Sequence, residues 1–339
     1  MLLDSGWYHN AGEQGDTVIS SRVRLARNIS SVPFPVRLNV NRKNEINEKI
    51  CSAVYKCQLP LNAIDMSRLY GYEAVSLAER HLITPEFASV SDGRVLLLSQ
   101  DEKISIMLNE NDHIRIQVIE EGLSPEKAAE KAFEIDSLLD GELQFAFDRR
   151  FGFLNQSPRD IGTGMRVSVM MHLPALSKTG AMSKFASTAA KLGLTVRGAY
   201  GDSTDPKGDI YRLSNNVVMG ISESQAVSNL KSIALQLATK ERRTAEEFVR
   251  DISVKDRINR SMGLLSSAVL LSVDEMMEAL SWVRLGAVYS LVDIKPQTVN
   301  SLFVTMQPAT LNVLAGTKLS SVQGDEIRAK IVREKLYTK

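Results

Sequence analysis

The sequence predicts an α+β protein, in which an antiparallel sheet flanked by helices is followed by a small all-helical C-terminal domain. Apolar and polar residues alternate in several short runs, helical patterns lie between those runs, and strand signals stop at Ser222. Strict alternation fits an antiparallel sheet with one polar face better than a parallel sheet buried on both faces. We place the domain boundary after residue 254, which gives domains of residues 1–254 and 255–339.

The alternating runs and the helical patterns locate the individual elements. Strands are predicted at residues 17–25, 95–98, 104–108, 114–119, 166–173 and 194–199, and helices at 42–55, 126–139 and 182–192. Asp140-Gly141 is expected to stop the second helix, because glycine favours helix ends. Capping boxes at Ser222-x-x-Gln225 and Ser272-x-x-Glu275 predict the starts of two further helices.

Composition limits the classes of function. The 339 residues carry 41 Lys and Arg against 40 Asp and Glu, so no net field attracts nucleic acid or a membrane surface. No apolar run reaches the roughly 18 residues of a bilayer span. Cys51 and Cys57 make no disulfide framework, which favours a cytoplasmic location. The four histidines are scattered without metal-ligand spacing, so no protein-held metal is predicted.

Arginines recur on the polar sides of the predicted strands. They are Arg22, Arg24, Arg115, Arg166 and Arg197. A guanidinium is a permanently charged planar fork that matches two phosphate oxygens at once. Several of them on one sheet face repel each other unless anions lie between them. Each arginine could instead pair with a neighbouring carboxylate; for the group, a polyphosphate site is the better interpretation.

Four segments carry a family resemblance in their order and spacing. They are Ser20-Ser-Arg-Val-Arg-Leu-Ala-Arg-Asn28, Asn109-Glu-Asn-Asp-His-Ile-Arg115, Gly162-Thr-Gly-Met-Arg-Val-Ser-Val-Met-Met-His-Leu-Pro174 and Arg197-Gly-Ala-Tyr-Gly201. The chain resembles the guanidino kinases, and over nearly its full length their bacterial protein-arginine kinase branch. Small-molecule guanidino kinases carry a helical domain of about a hundred residues before the first motif. Only some seventeen residues precede the strand that carries this motif, which favours a protein-borne arginine as acceptor.

The resemblance implies ATP and Mg²⁺ as cofactors. The implied nucleotide contacts are Ser21, Arg22, Val23, Arg24, Leu25, His81, Arg115, Arg166, Arg197, Gly198 and Asp202. His81 is expected near the base, and the arginines are expected to hold the phosphates. Positioning and charge neutralisation supply most of the catalysis in phosphoryl transfer, so a site built of cations suits it.

The acceptor half departs from the family pattern. The implied catalytic positions are Glu110, Asn111, Ser157 and Asp202. Asn111 and Ser157 stand where the family has a glutamate and a cysteine, and Asp202 is one methylene shorter than the family glutamate. An arginine nitrogen becomes a nucleophile when a carboxylate orients it and takes its proton, so these changes are expected to lower activity.

The resemblance also implies regulation and partners. The family motif that binds phosphoarginine corresponds to Asp325 and Arg328, and its first cation is replaced by Gly324. Implied partners are arginine-bearing protein substrates, an activator protein, a stress-response heat-shock repressor and a Clp protease, with a homodimer formed through the helical domain. Two functions remain open: a protein-arginine kinase with altered acceptor residues, or a nucleotide-binding pseudokinase that regulates a partner or paralogue.

Overall fold

The computed structural model describes residues 5–200 and 206–337, and its central feature is one large sheet. The strands are β1 Val18–Arg27, β2 Leu61–Asp65, β3 Val95–Ser99, β4 Ile104–Leu108, β5 Ile114–Glu121, β6 Phe147–Asp148, β7 Gly152–Phe153, β8 Met165–His172, β9 Leu194–Gly198 and β10 Ile210–Asn215. Eight of them form the sheet in the order β2-β3-β4-β5-β1-β8-β10-β9, and all neighbours are antiparallel. The other two, β6 and β7, form a separate ribbon.

Helices flank the sheet and make up the described part of the chain after β10. They are α1 Val40–Lys56, α2 Gly71–Glu79, α3 Pro85–Ala88, α4 Pro125–Leu143, α5 Pro174–Lys178, α6 Ala181–Lys191, α7 Glu223–Phe248, α8 Ile252–Ser267, α9 Val273–Val288, α10 Pro296–Thr305, α11 Pro308–Ala315 and α12 Ser321–Tyr337. In residues 5–200 and 206–337, none of the helices combines the length and apolar character that crossing a membrane requires. The predicted fold class is confirmed.

One face of the sheet is apolar and is covered by α1, α4 and α7. Val23 and Leu25 of β1 are fully buried there, in a core shared with Ile50 of α1 and Ile135 of α4. Successive side chains of a strand point to opposite faces, so burying Val23 and Leu25 turns their neighbours in β1 to the other face. The apolar core therefore decides which face carries the arginines.

The opposite face packs partly against the C-terminal helices. Met107, Met170 and Ile210 lie in a core shared with Leu280 of α9 and Phe303 of α10. Leu96 and Leu98 of β3 are buried in the same core, together with Leu77 of α2 and Phe87 of α3. The polar part of this face borders a cavity.

A buried arginine ties the helical region to the sheet. Arg284 of α9 donates hydrogen bonds to the carbonyls of Gly15 and Asp16 and to Oδ1 of Asn300, and its Nη1 lies 3.0 Å from Nδ1 of His172. Its side chain is fully buried, and these four polar partners surround its guanidinium. Arg284 is therefore a structural arginine.

The observed elements agree closely with those predicted, with two exceptions. The expected helix stop at Asp140-Gly141 is wrong, because α4 continues to Leu143, whose side chain is buried in the core, and its C-cap is Gln144 at φ 56°. Strands β2, β6, β7 and β10 and helices α2, α3 and α5 are absent from the prediction. Both capping boxes are confirmed at the starts of α7 and α9. The predicted boundary after residue 254 lies inside α8 and stays a prediction.

Candidate active site

A cavity of about 1190 Å³ lies against the polar face of the sheet. Its other walls come from the α2–α3 region and from the starts of α9 and α11, so both parts of the chain contribute to it. The cations that line it are Arg22, Arg24, Arg159, Arg166, Arg197, Lys207 and Arg212. Four of the five arginines singled out in the sequence therefore converge on one space.

Strand register places like charges directly opposite each other. Arg24 of β1 is opposite Arg166 of β8, and Arg197 of β9 is opposite Arg212 of β10. Like charges opposite each other destabilise a sheet, by an amount on the order of 0.2–1 kcal/mol per pair. Two such pairs on one cavity wall form an arrangement that a bound anion would stabilise.

Most of these guanidinium groups lack a neutralising acid among the described residues. Within the described ranges, no carboxylate lies within ion-pair distance of Arg22, Arg24, Arg197 or Arg212. Burial, followed by repulsion from Arg212 and Arg24, lowers the pKa of Arg22 well below its ordinary range. Burial, followed by repulsion from Arg115 and Arg212, lowers the pKa of Arg24 to about 9. Arg22 and Arg24 therefore stay desolvated and mutually repelled without a bound anion.

Two of the predicted arginines do have acidic partners. Nε of Arg166 lies 2.9 Å from Oδ1 of Asp160, and Nη1 of Arg115 lies 2.5 Å from Oε2 of Glu110. Arg166 still lines the cavity, whereas Arg115 does not. The alternative of individual ion pairs thus applies to two positions of the group.

His81 occupies the cavity wall with an unusual backbone. Its φ is 62°, in the left-handed region that non-glycine residues rarely adopt, and Nε2 of Gln117 donates to its carbonyl at 2.9 Å. Its ring lies 4.8 Å from that of Tyr200 between centroids. Burial, then repulsion from Arg212 and Arg22, lowers its pKa well below the ordinary range, so His81 is neutral near pH 7.

Besides Arg115, three residues predicted as nucleotide contacts contribute no side chain to the cavity. Val23 and Leu25 point into the apolar core, and the hydroxyl of Ser21 donates to the carbonyl of Gly122 on that same side of β1. Every second residue of a strand faces away from the cavity, and the nucleotide contacts expected at Ser21, Val23 and Leu25 stay predictions. Gly198 lines the cavity as expected, and Asp202 lies outside the described residues.

None of the predicted acceptor residues that the structure describes, Glu110, Asn111 and Ser157, lines the cavity. Asn111 is exposed and Ser157 is half-buried, and neither lines the cavity. Glu110 is buried, and its carboxylate accepts a hydrogen bond from Thr84 and pairs with Arg115. No sequence pattern signals that Glu110 is engaged internally, since such pairing depends on the tertiary structure.

Helix α3 brings an acid that the sequence did not single out. Glu86 lines the cavity from α3, is exposed, and forms no side-chain ion pair within residues 5–200 and 206–337. The helix is fixed at both ends: Thr84 caps it and bonds Glu110, and Arg94 Nη1 donates to the carbonyl of Glu86 at 2.6 Å. The other acids of the described cavity have partners: Glu79 accepts hydrogen bonds from backbone N–H groups at the start of α11, and Asp274 forms an ion pair with Lys207.

Sequence reasoning also missed two arginines of the lining. Arg212 lies in β10, where the alternation of Ile210-Tyr-Arg-Leu-Ser-Asn215 could have been read as a strand. Arg159 lies in a short turn of helix after Ser157, and no periodicity marks it.

The predicted regulatory pair lies far along the chain, in α12. Arg328 is buried, and it donates to the carbonyls of Met306 and Leu271 and to Oδ1 of Asp325. A Cβ placed at Gly324 would meet no atom within 4 Å. The phosphoarginine site at Asp325 and Arg328 stays a prediction, and part of Arg328 is already engaged in the fold.

An antiparallel sheet with arginines gathered at one cavity fits a phosphotransferase of the guanidino type, and comparison with known proteins shows that class. The model of the family "ATP:guanido phosphotransferase, C-terminal catalytic domain" matches residues 44–244. The chain belongs to this family. A second model, "Protein-arginine kinase McsB C-terminal domain", matches residues 251–339.

Curated relatives and solved structures narrow the assignment. The protein-arginine kinase of Halothermothrix orenii is 39% identical over 98% of this chain and 96% of its own length. That of Brevibacillus brevis is 39% identical over 98% of this chain and 95% of its own. A duplicated taurocyamine kinase from Schistosoma mansoni superimposes with a TM-score of 0.60 at 25% identity, covering 67% of this chain and 33% of that one. Lombricine kinase matches in fold, with a TM-score of 0.60 at 23% identity over 69% of this chain and 68% of that one.

Proposed function

We propose that this protein transfers the γ-phosphoryl group of ATP to the guanidino group of an arginine in a protein substrate. The observation that carries the proposal is the cavity wall on which Arg22, Arg24, Arg197 and Arg212 lack ion-pair partners among the described residues. A triphosphate is an anion that would relieve their repulsion. The relatives named protein-arginine kinase support an arginine acceptor.

The arginines would act by holding the donor. The bond between a guanidino nitrogen and the γ-phosphorus forms, the bond from that phosphorus to the β–γ bridging oxygen breaks, and the nitrogen loses a proton. Negative charge spreads over the equatorial oxygens in a loose transition state, so fixed cations stabilise it. Mg²⁺ would arrive on the nucleotide, since it binds mainly through phosphates and keeps several waters, and it would neutralise phosphate charge. Arg24 and Arg166 are the paired cations suited to the phosphates.

The acceptor needs a carboxylate, because its guanidinium has a pKa above ~12. Asn111 and Ser157 cannot carry charge at neutral pH, and Glu110 is engaged with Arg115 and Thr84. Glu86 is the cavity-lining acid without a side-chain ion pair in the described part of the chain, and its exposure suits a substrate that is itself a protein. We assign Glu86 the role of orienting the acceptor. The catalytic role of Asp202 stays a prediction.

A pseudokinase is the second candidate, and one observation favours it. The donor cations are retained, whereas Asn111 is exposed and does not line the cavity. Such a protein would bind nucleotide without transfer and regulate a partner or paralogue.

Transfer of radiolabelled γ-phosphate separates the two functions. The protein is incubated with Mg-ATP and an arginine-rich basic protein, and the product is tested for the acid lability of phosphoarginine. Incorporation by the wild type and its loss in Glu86→Gln would support the kinase and the role of Glu86. ATP binding without incorporation would support the pseudokinase. Exposed Glu48 offers a matched control, because Glu48→Gln lies on α1, away from the cavity.

The further partners stay predictions. They are the activator protein, the heat-shock repressor and the Clp protease. The cytoplasmic location and the homodimer are also predictions. Each is implied by the family resemblance. The partners and the homodimer are testable by co-purification with the full chain, and the location by cell fractionation.

A further inference from the structure

Arg212 is a cavity residue that none of the four family-like motifs contains. It lies in the middle of β10, directly opposite Arg197 of β9 and Met170 of β8. Its side chain lines the cavity together with Arg22 and Arg24. The inference drawn from it rests on the proposed nucleotide site.

The described surroundings of Arg212 offer polar contact but no neutralising charge. Within residues 5–200 and 206–337, no carboxylate lies within 4 Å of its guanidinium, and repulsion from it lowers the pKa of both Arg22 and Arg24. Burial lowers the pKa of Arg212 itself. Arg284 is a useful contrast, because carbonyl and amide oxygens surround its buried guanidinium. A partly buried cation with no such partners is poorly explained by a structural role.

The one hydrogen bond of the Arg212 side chain in the described part of the chain determines the protonation of His81. Nη2 of Arg212 lies 3.2 Å from Nδ1 of His81. A guanidinium can only donate, so Nδ1 must carry the lone pair and the ring hydrogen must lie on Nε2. Nε2 of His81 is buried and has no hydrogen-bond partner among the described residues. His81 is therefore left with one donor unsatisfied.

A second unsatisfied donor lies beside it. The hydroxyl of Tyr200 is buried and has no partner among the described residues, and its ring packs against that of His81. Buried polar groups are almost always hydrogen-bonded, and exceptions mark sites that a ligand or water completes. Both residues line the cavity. Its wall thus combines an unneutralised cation with two donors that await acceptors.

We propose that Arg212 binds the phosphates of the nucleoside triphosphate and, through Nδ1 of His81, keeps Nε2–H of His81 available to an acceptor atom of the same nucleotide. Arg212 has five N–H donors, so the contact with His81 leaves donors for phosphate oxygens. One residue then links the phosphate end of the site to the histidine. The histidine tautomer and the cation act on the same ligand.

Calorimetric titration tests the cation role with two probes, Mg-ATP and inorganic tripolyphosphate. The variants are Arg212→Met, which removes the charge, and Arg212→Lys, which keeps it; Arg37→Met is a control at an exposed position outside the cavity. Charge-assisted hydrogen bonds are strong enough that we expect Arg212→Met to weaken both probes about tenfold or more. Arg212→Lys should lose less, and Arg37→Met should behave like the wild type.

Nitrogen NMR of the His81 imidazole tests the tautomer. In the wild type, Nδ1 should be unprotonated and Nε2 protonated, and Arg212→Met should shift this distribution toward a mixture. Such a shift supports the link, and an unchanged tautomer overturns it.

The outcomes distinguish failure of the proposed function from failure of this inference. If wild-type protein binds neither probe, the proposed function fails, and this inference fails with it. If wild type binds both and Arg212→Met binds them equally well, only the role of Arg212 is overturned. If Arg212→Met does not fold, unchanged affinity in Arg212→Gln overturns the role, and about a tenfold loss there supports it.

Discussion

Removing the charge of Arg24 should stabilise the free protein while it weakens nucleotide binding. Arg24 lies opposite Arg166 on the sheet and has no ion-pair partner among the described residues. The variant Arg24→Met keeps an unbranched side chain of similar reach and removes the cation. In a protein built only for stability, the loss of a partly buried arginine would be costly, so the sign of the effect is informative.

The magnitude follows from the pKa of Arg24. Its fall from the ordinary value of an arginine to about 9 corresponds to about 5 kcal/mol of unfavourable free energy for the charged form in the folded state. Since Arg24 is only partly buried, we discount this for solvent screening and expect Arg24→Met to raise the free energy of unfolding by roughly 2 kcal/mol. Saturating anion should offset the same repulsion in the wild type, adding about 2.7 kcal/mol at a hundred times its Kd.

Urea unfolding with and without tripolyphosphate measures both effects. The wild type should gain stability from the anion, and Arg24→Met should start more stable and gain less. Arg24→Lys keeps the charge and should resemble the wild type without anion. Arg284→Met is the opposite control: its guanidinium is fully buried and hydrogen-bonded, so its loss should destabilise. An Arg24→Met protein that is less stable than the wild type without anion would refute the reasoning.

Three further changes have expected outcomes. Glu86→Gln should reduce phosphoryl transfer, measured with radiolabelled ATP, at least about tenfold. The Kd of ATP, measured by calorimetry, should change little. An equal loss of transfer and of ATP affinity would remove the assignment of Glu86 to the acceptor. Burial raises the pKa of Glu241 from 4.5 to about 7, so the folded state binds more protons between these values and the free energy of unfolding should fall by about 3 kcal/mol as pH rises from 4.5 to 7. Glu241→Gln should flatten this dependence in urea titrations, and an unchanged slope would contradict it. Gly324→Arg should stabilise α12 by about 0.5–1 kcal/mol and strengthen binding of free phosphoarginine, since open space surrounds that position; no gain in calorimetry would count against the regulatory site.

Several features of this protein are determined by its sequence. Alternation along β1 and β8 is local, so the shared face of Arg22 and Arg24 and the start of each capped helix could be read directly. The same alternation of apolar and polar residues predicted an antiparallel sheet. The family motifs contain four of the six arginines that line the described cavity, namely Arg22, Arg24, Arg166 and Arg197. Where local preference was weaker than packing, prediction failed: α4 passes through Gly141 because Leu143 enters the core.

The tertiary structure decided which of these groups work together. Register put Arg24 opposite Arg166 and Arg197 opposite Arg212, and no local pattern encodes register between strands distant in sequence. The tertiary structure also pairs Glu110 with Arg115, outside the cavity lining, and places Glu86 at the cavity wall. The sequence determines the type and the charge of each residue. Whether a charge is neutralised depends on the neighbours that the fold places around it, because electrostatic interactions act across space and not along the sequence.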